Sequence, residues 1–554
     1  MSPEFNLLHE QWIAVLTWED NREEISLCEV FSRAPELRSL AGELPAQDIA
    51  VLRLLLAVLH SVFHDFRDEG EALDFWQELW EKGSFPYEKI EHYLAQHEDR
   101  FWLFHPDTPF YQAPGLDKRD DVFGPFNIAK LNGELSESDN KSRLFSQRSG
   151  NEKKSLSYAE ALRWLLYFNG YAETFGKLEA KGKTSKSDPS VSVGWLGRLG
   201  LISAVGDNLF QTLMLNFVLL DSEGCLWEKG KPIWEKPVNL RERNIITLPA
   251  SQVELLTLQS RRVLLERNDN RVVAFRFVSG DIFPQEESFT EQMTTWRYGK
   301  QQGEKTEHFR PRPFQPSVQL WRDFASLVIQ DSSNGRRRPG VVWWPKHLIE
   351  SGVDSLSDAH FRFQTSGISY GTMSSVIDDV FSDSLSFNAN LLSELHKGWI
   401  TRIIAELTVT DNLVGEVGRL AQDIVRASGI KDGKSAGKDD GATARNEAKS
   451  QAYFRLDEPF RLWLESIDPR ADNTSEKMEN KCGEWWCTSQ TIIRLFGREL
   501  VRNTSPQALI GRDGLSAPKA YNWFLYNTTN RDTLNQSLKK KGASKRGKSG
   551  KGTQ

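Results

Sequence analysis

The sequence predicts an α+β protein: a large mixed N-terminal domain over residues 1–384, a C-terminal four-helix bundle over 385–538 and a basic tail over 539–554. Three observations carry this. Before Ser384, strand-like and helix-like stretches mix with no regular β-α alternation and no repeat, which argues against a doubly wound sheet or a solenoid. After Ser384 only helical spacing of apolar residues remains, and after Leu538 no apolar side chain is left.

In chain order, NLLHEQWIAVLTWEDNREEISLCEVF reads as two strands joined by a polar turn at Glu19 to Glu23. Asp48 to Phe63 reads as a helix with Asp48 at its cap and Leu52, Leu55, Leu56 and Leu59 on one side. The stretch ISYGTMSSVIDD, Ile368 to Asp379, reads as a small, uncharged finger, Gly371 to Ser375, leading into a helix at Val376-Ile377. Three bundle helices follow from the spacing of Leu392, Leu395, Trp399, Ile403 and Leu407, of Tyr453, Leu456, Phe460, Trp463 and Ile467, and of Trp485, Ile492, Phe496 and Leu500. A fourth spans Ala517 to Ser537. The Gly- and Lys-rich link from Gly429 to Ala442 cannot be helical, and the Lys- and Arg-rich end is expected to be disordered.

A chain of 554 residues with 39% hydrophobic content can bury substantial cores in two to four domains. No apolar run reaches the about 18 residues a bilayer demands, and the N-terminus lacks the pattern of a signal peptide, so no membrane partner and a cytoplasmic location are expected. Cys28, Cys225, Cys482 and Cys487 are too scattered for a disulfide framework. Cys482 and Cys487 lack a second ligand pair for zinc, so no metal and no cofactor are expected. A net charge of −6 argues against coating nucleic acid with the whole surface; any such role rests on local patches. The 18 Trp and 31 Phe serve packing and interfaces.

No phosphate-binding loop, metalloprotease helix, nucleophile elbow or dinucleotide fingerprint occurs, so no catalytic residue is assigned. Three basic segments stand out. NKSRLFSQRSGNEKKS holds Lys141, Arg143, Arg148, Lys153 and Lys154 around Phe145, a mixture that can hold a phosphate backbone and stack a base, or plug into a partner protein. GKLEAKGKTSK places Gly176, Lys177, Lys181, Gly182, Lys183 and Lys186 together, where glycines allow close backbone approach to a groove or phosphate. Arg336, Arg337 and Arg338 form the third. Taken singly, each also fits a solvated surface loop.

NLLHEQWIAV, HPDTPFYQ at His105 to Gln112, GWLGRLGLISAVGDNLFQTLMLNFVLL at Gly194 to Leu220, EQMTTWR at Glu291 to Arg297 and YGTMSSVIDD, in this order and with a bundle after them, resemble the CasA family, the large subunit of the type I-E CRISPR surveillance complex Cascade. The resemblance implies a noncatalytic subunit at the 5′ handle of the guide RNA. Such a subunit reads the protospacer-adjacent motif (PAM) in double-stranded DNA, opens the first base pairs, contacts other Cascade subunits and helps recruit a nuclease-helicase. It places the RNA-anchoring loop at Phe145, Ser146 and Gln147 and the glycine loop facing the PAM minor groove at Gly176 and Lys177, with Lys181 and Lys183 following. The strand-parting wedge falls at Gly371, Thr372, Met373 and Ser374. Here the wedge lacks the amide side chain known from the family. The stretch matching its PAM-contacting lysine, Ser279 to Phe283, has no lysine, with Arg276 as a neighbouring substitute. Glu266 to Arg271, where some relatives carry a cysteine cluster, has no Cys. The reading left beside this one is a scaffold that binds only protein subunits.

Overall fold

The computed structural model describes residues 2–119, 122–135, 148–175, 193–238, 249, 251–301, 303–356, 359–429 and 441–534. Contacts divide the chain into two compact units. One comprises Met1–Val318, Ser326–Ser357 and Phe361–Ser384; the other comprises Gln319–Ala325, Asp358–His360 and Leu385–Gln554.

The first unit mixes helices with small antiparallel sheets. In one, Ile13–Thr17 lies between Arg22–Ile25 and Leu37–Leu40, with Ile13 opposite Ile25 and Val15 opposite Leu40. The turn expected between the first two strands is present. The following LCEVF is not strand but the start of helix Leu27–Arg33, because Ser26 and Glu29 form a reciprocal capping box that satisfies two terminal N–H groups. A second sheet orders Phe123–Asn127, Arg271–Ser279 and Arg261–Asn268; a third orders Ile377–Asn388, His360–Tyr370 and Ile202–Val205.

The central helix runs Pro45–Val62 and is capped by the extended residue Leu44 with Pro45 at its first position, not by Asp48. Asp48 instead accepts a hydrogen bond from the Gly42 amide at 2.8 Å, and its burial raises its pKa to about 7. By length and composition this helix could cross a membrane, with mean hydropathy 1.4 over 18 residues, contrary to the expectation that no run is long enough. It is a core helix: 83% of the stretch is buried inside the protein. Arg53, near its middle, forms a buried two-pronged pair with Glu291 at 2.9 and 3.0 Å. Glu291 also accepts from the Trp195 indole N–H at 2.8 Å and from the Met293 amide. A charge held so far from water persists because each Glu291 oxygen accepts two hydrogen bonds, one of them from the guanidinium.

The second unit is built from Lys397–Ser428, Ala442–Glu465, Ser475–Arg502 and Ala517–Asn527, with a short helix Pro506–Ile510 before the last. Phe460, Trp463 and Trp485 pack ring against ring, and the Trp485 indole donates to the Thr410 hydroxyl at 2.9 Å. Trp321 stacks on Phe460 and donates to Asp457, which ties Gln319–Ala325 to this unit. Three details depart from the spacing argument. Leu395 is 89% exposed in a turn ahead of the first helix, Ile493 rather than Ile492 takes the fully buried place, and the fourth helix stops at Asn527 with a break before Arg531. Gly429 and Gly441, which flank the link, both take left-handed backbone, with φ of 72° and 95°. Ala442, expected in the link, is instead the first residue of helix Ala442–Glu465, and residues 430–440 and the tail from residue 535 onward lie outside the described residues.

Candidate nucleic-acid interface

Gly371 to Ser375 forms the tip of a β-hairpin between His360–Tyr370 and Ile377–Asn388. Val376-Ile377 therefore leads into a strand, not a helix as the sequence suggests. Two features the sequence conceals decide it. Met373 and Ser374 adopt left-handed backbone, φ 57° and 54°, which reverses the chain, and the Gly371 amide donates to the Val376 carbonyl at 2.9 Å, closing the turn. Non-glycine residues carry a steric cost in that region, so a tip of two such residues is held by its surroundings. Met373 is 87% exposed, an apolar side chain at the outermost point of the turn.

What holds the tip lies far away in sequence. The Ser374 carbonyl accepts from the Thr174 amide at 2.8 Å, and the Tyr370 hydroxyl donates to the Tyr171 carbonyl at 2.7 Å. Tyr171 ends helix Tyr158–Tyr171, whose last carbonyls have no partner within the helix. Arg261 donates to the Glu173 carbonyl at 3.0 Å, and the Gly194 amide donates to the Ala172 carbonyl at 2.9 Å. Lys130 pairs with Glu173 at 2.7 Å and sits 4.8 Å from the Phe175 ring, which packs among Phe123, Phe126 and Phe277. The residues on either side of 176–192 are thus fixed to the core, and one of those flanks is bonded to the hairpin tip.

Of the residues singled out from sequence, Gly371, Thr372, Met373 and Ser374 stand together on this tip. Phe145, Gln147, Gly176, Lys177, Lys181 and Lys183 lie outside the described residues. Several other cations are committed internally. Arg148 pairs with Glu134 at 3.6 Å and with Glu160 at 2.8 Å. Arg337 lies 3.8 Å over the Phe289 ring and donates to Ser222, while Arg338 is buried and donates to the Val328 carbonyl; Arg336 stays exposed. The triple arginine is therefore mainly a packing device. Ser279 to Phe283 is likewise no projecting finger: Asp281 forms a buried pair with Arg262 at 2.5 Å, and Phe283 packs against Trp195 at 4.5 Å. Arg276 is paired with Glu266.

The tip carries no cation, and Asp378 and Asp379 beside it are exposed. Such a surface offers a phosphate backbone little attraction, but an exposed thioether is suited to apolar insertion. Sequence reading missed Tyr370, Thr174 and Arg261, because all three bonds end on main-chain carbonyls far away in the chain, 199 residues away for Tyr370 and 88 for Arg261. Among the described residues, no group of three or more His, Cys, Asp or Glu is placed to hold a metal ion.

The architecture is that of an α+β protein with a C-terminal helical bundle and a hairpin whose exposed tip is uncharged. The sequence model of the family "CRISPR-associated protein Cse1" matches residues 6–485. A curated relative, CRISPR-associated protein CasA/Cse1 of Thermus thermophilus, is 35% identical over 233 residues, 42% of this chain and 42% of that protein's length. The crystal structure of Thermobifida fusca Cse1 superposes with a TM-score of 0.79 at 29% identity, covering 97% of this chain and 98% of that one. A chain of a CRISPR RNA-guided surveillance complex shares the fold, with a TM-score of 0.71 at 17% identity over 96% of this chain and 99% of its own. The chain belongs to the Cse1 family of CRISPR-associated proteins, the family also called CasA.

Proposed function

We propose that this chain is a noncatalytic, cytoplasmic subunit of the RNA-guided antiviral complex Cascade. In this reading it recognises the PAM in double-stranded DNA and starts the R-loop. It sits at the guide-RNA 5′ handle among other Cascade subunits and helps recruit the nuclease-helicase. The observation that carries the reading is an exposed Met373 on a hairpin tip whose Ser374 carbonyl is bonded to Thr174, two residues ahead of the glycine- and lysine-bearing segment at Gly176.

That pairing suits a division of labour. The lysines supply the electrostatic hold on duplex phosphates, and the neutral tip supplies a wedge. Parting one base step costs about a few kcal/mol, offset by guide pairing and backbone contacts. Because base pairing with the guide carries most sequence information, the protein need inspect only a short duplex element.

A second reading, a scaffold that binds protein subunits alone, draws support from the internal use of Arg148, Arg337 and Arg338 and from the acids beside the tip. One titration separates the two. The chain is added to a guide-RNA complex lacking its large subunit, and binding of duplex targets with a library of candidate PAMs is recorded. PAM-dependent tightening supports the first reading; assembly with no gain for any PAM leaves the scaffold.

A further inference from the structure

We propose that Tyr370 is a positioning residue for strand opening. Its hydroxyl, bonded to the Tyr171 carbonyl, locks the base of the hairpin tip to the end of helix Tyr158–Tyr171, so that the tip meets the duplex from one fixed position. The inference rests on the PAM-reading function proposed above and adds what holds the wedge in place.

Four observations converge on this junction. The tip has two attachments to the chain just ahead of Gly176, one through Tyr370 to Tyr171 at 2.7 Å and one through Ser374 to Thr174 at 2.8 Å. The root is itself immobilised: Arg261, fully buried, donates to the Glu173 carbonyl, and its own amide donates to the Asn169 side chain at 3.2 Å. The far flank of the segment closes on the same place, through the Gly194 amide on the Ala172 carbonyl. Finally, Gly197 has no room for a side chain, because a methyl group there would overlap the Tyr370 hydroxyl. Burial raises the Tyr370 pKa well above the ordinary phenol range, so the hydroxyl stays a donor.

The mechanical consequence follows from the strained tip. Met373 and Ser374 occupy left-handed backbone, a conformation that persists only while neighbours over-determine it. With one of its two attachments lost, the hairpin still pairs as a sheet, but its tip is free to relax and the apolar side chain is no longer aimed at a fixed point relative to the captured duplex. Misplacement of such a group by about 1 Å can cost a large factor in rate without any loss of binding.

The test uses the reconstituted guide-RNA complex containing the full chain. Three readouts are taken: binding to a PAM duplex with no guide match, the rate of R-loop formation on a matched duplex, and the same rate when the first base pairs beside the PAM are already opened by mismatches. Tyr370→Phe keeps the ring and removes the bond; Gly197→Ala sets a methyl group against the same hydroxyl and against Val193. Both are expected to leave duplex capture unchanged, to slow R-loop formation on the matched duplex by about five- to tenfold, as loss of one hydrogen bond implies, and to regain the wild-type rate on the pre-opened target.

Thr372→Gly with Met373→Gly serves as the reference. If that variant is slow while Tyr370→Phe runs at the wild-type rate, the wedge stands and the positioning role of Tyr370 falls. Should Tyr370→Phe be equally slow on the pre-opened target, the defect lies outside strand opening and the inference is overturned. If the reference variant itself opens matched targets at the wild-type rate, the wedge reading fails and takes the positioning role with it.

Discussion

The Glu291 cluster and the hairpin tip come from stretches of sequence that look alike in importance, yet they are built on opposite principles. Around Glu291, the Arg53 guanidinium, the Trp195 indole and the Met293 amide are sealed from water, with every polar atom of the carboxylate matched. At the tip, the apolar Met373 is turned outward while the Tyr370 hydroxyl and the Ser374 carbonyl hold the turn from beneath. The first arrangement lowers free energy by satisfying a buried charge; the second leaves apolar surface in water that only a partner can cover. A distinctive block of sequence is therefore no guide to where function lies until burial is known.

The comparison breaks most decisively at Glu291. Glu291→Ala strands the Arg53 guanidinium in the core and is expected to cost about 3–5 kcal/mol of stability, read by urea unfolding of the isolated chain. A loss below about 1 kcal/mol would show that water reaches the pair. Asp48, earlier on the helix that carries Arg53, provides a milder probe. Its folded pKa of about 7 lies above the unfolded value of 3.8, so the unfolded chain releases this proton first and stability falls as pH rises between those values. Asp48→Asn, which keeps an acceptor for the Gly42 amide, should match the wild type near pH 4 and gain on the order of 2 kcal/mol at pH 8. A gain independent of pH would contradict this assignment.

On the exposed side, Thr372→Gly with Met373→Gly should leave the melting temperature of the chain in place while slowing R-loop formation by about tenfold, since no buried group is lost. Equal rates would place the wedge elsewhere. The smallest effect is expected from Lys177→Glu. Duplex capture should weaken modestly and its salt dependence should flatten by about one unit of slope, measured across a salt series. Unchanged capture at every salt concentration would remove Lys177 from the interface.

The class of fold could be read from sequence because it depends on periodicity. The spacing of Trp399, Ile403, Phe460, Trp463 and Trp485 is that of a buried helical face, and each of these side chains is buried. Local detail escaped where side chains and backbone compete. Ser26 and Glu29 convert an apparent strand into a helix by capping, and Pro45 displaces Asp48 as the start of the core helix. The tip was recognised by its small, uncharged residues, but whether Val376-Ile377 opens a helix or a strand turned on left-handed backbone at Met373 and Ser374, which a Thr-Met-Ser-Ser run does not advertise. Charge was the least reliable guide. Arg148, Arg337 and Arg338 look like parts of a phosphate-binding surface, and only three-dimensional packing reveals that they hold the protein's own carboxylates, rings and carbonyls.

The Arg53–Glu291 pair also bears on how the chain is sorted while it is being made. The helix around Arg53 emerges from the ribosome 238 residues before Glu291, as an apolar stretch long enough for membrane insertion. A lone guanidinium near the middle of such a stretch adds about 2.5–3.5 kcal/mol to the cost of entering a bilayer. The same unpaired cation also disfavours premature burial within the growing protein. Arg53 thus weighs against burial of the stretch on its own, and its charge is accommodated in the core only once Glu291 has been synthesised and joins it.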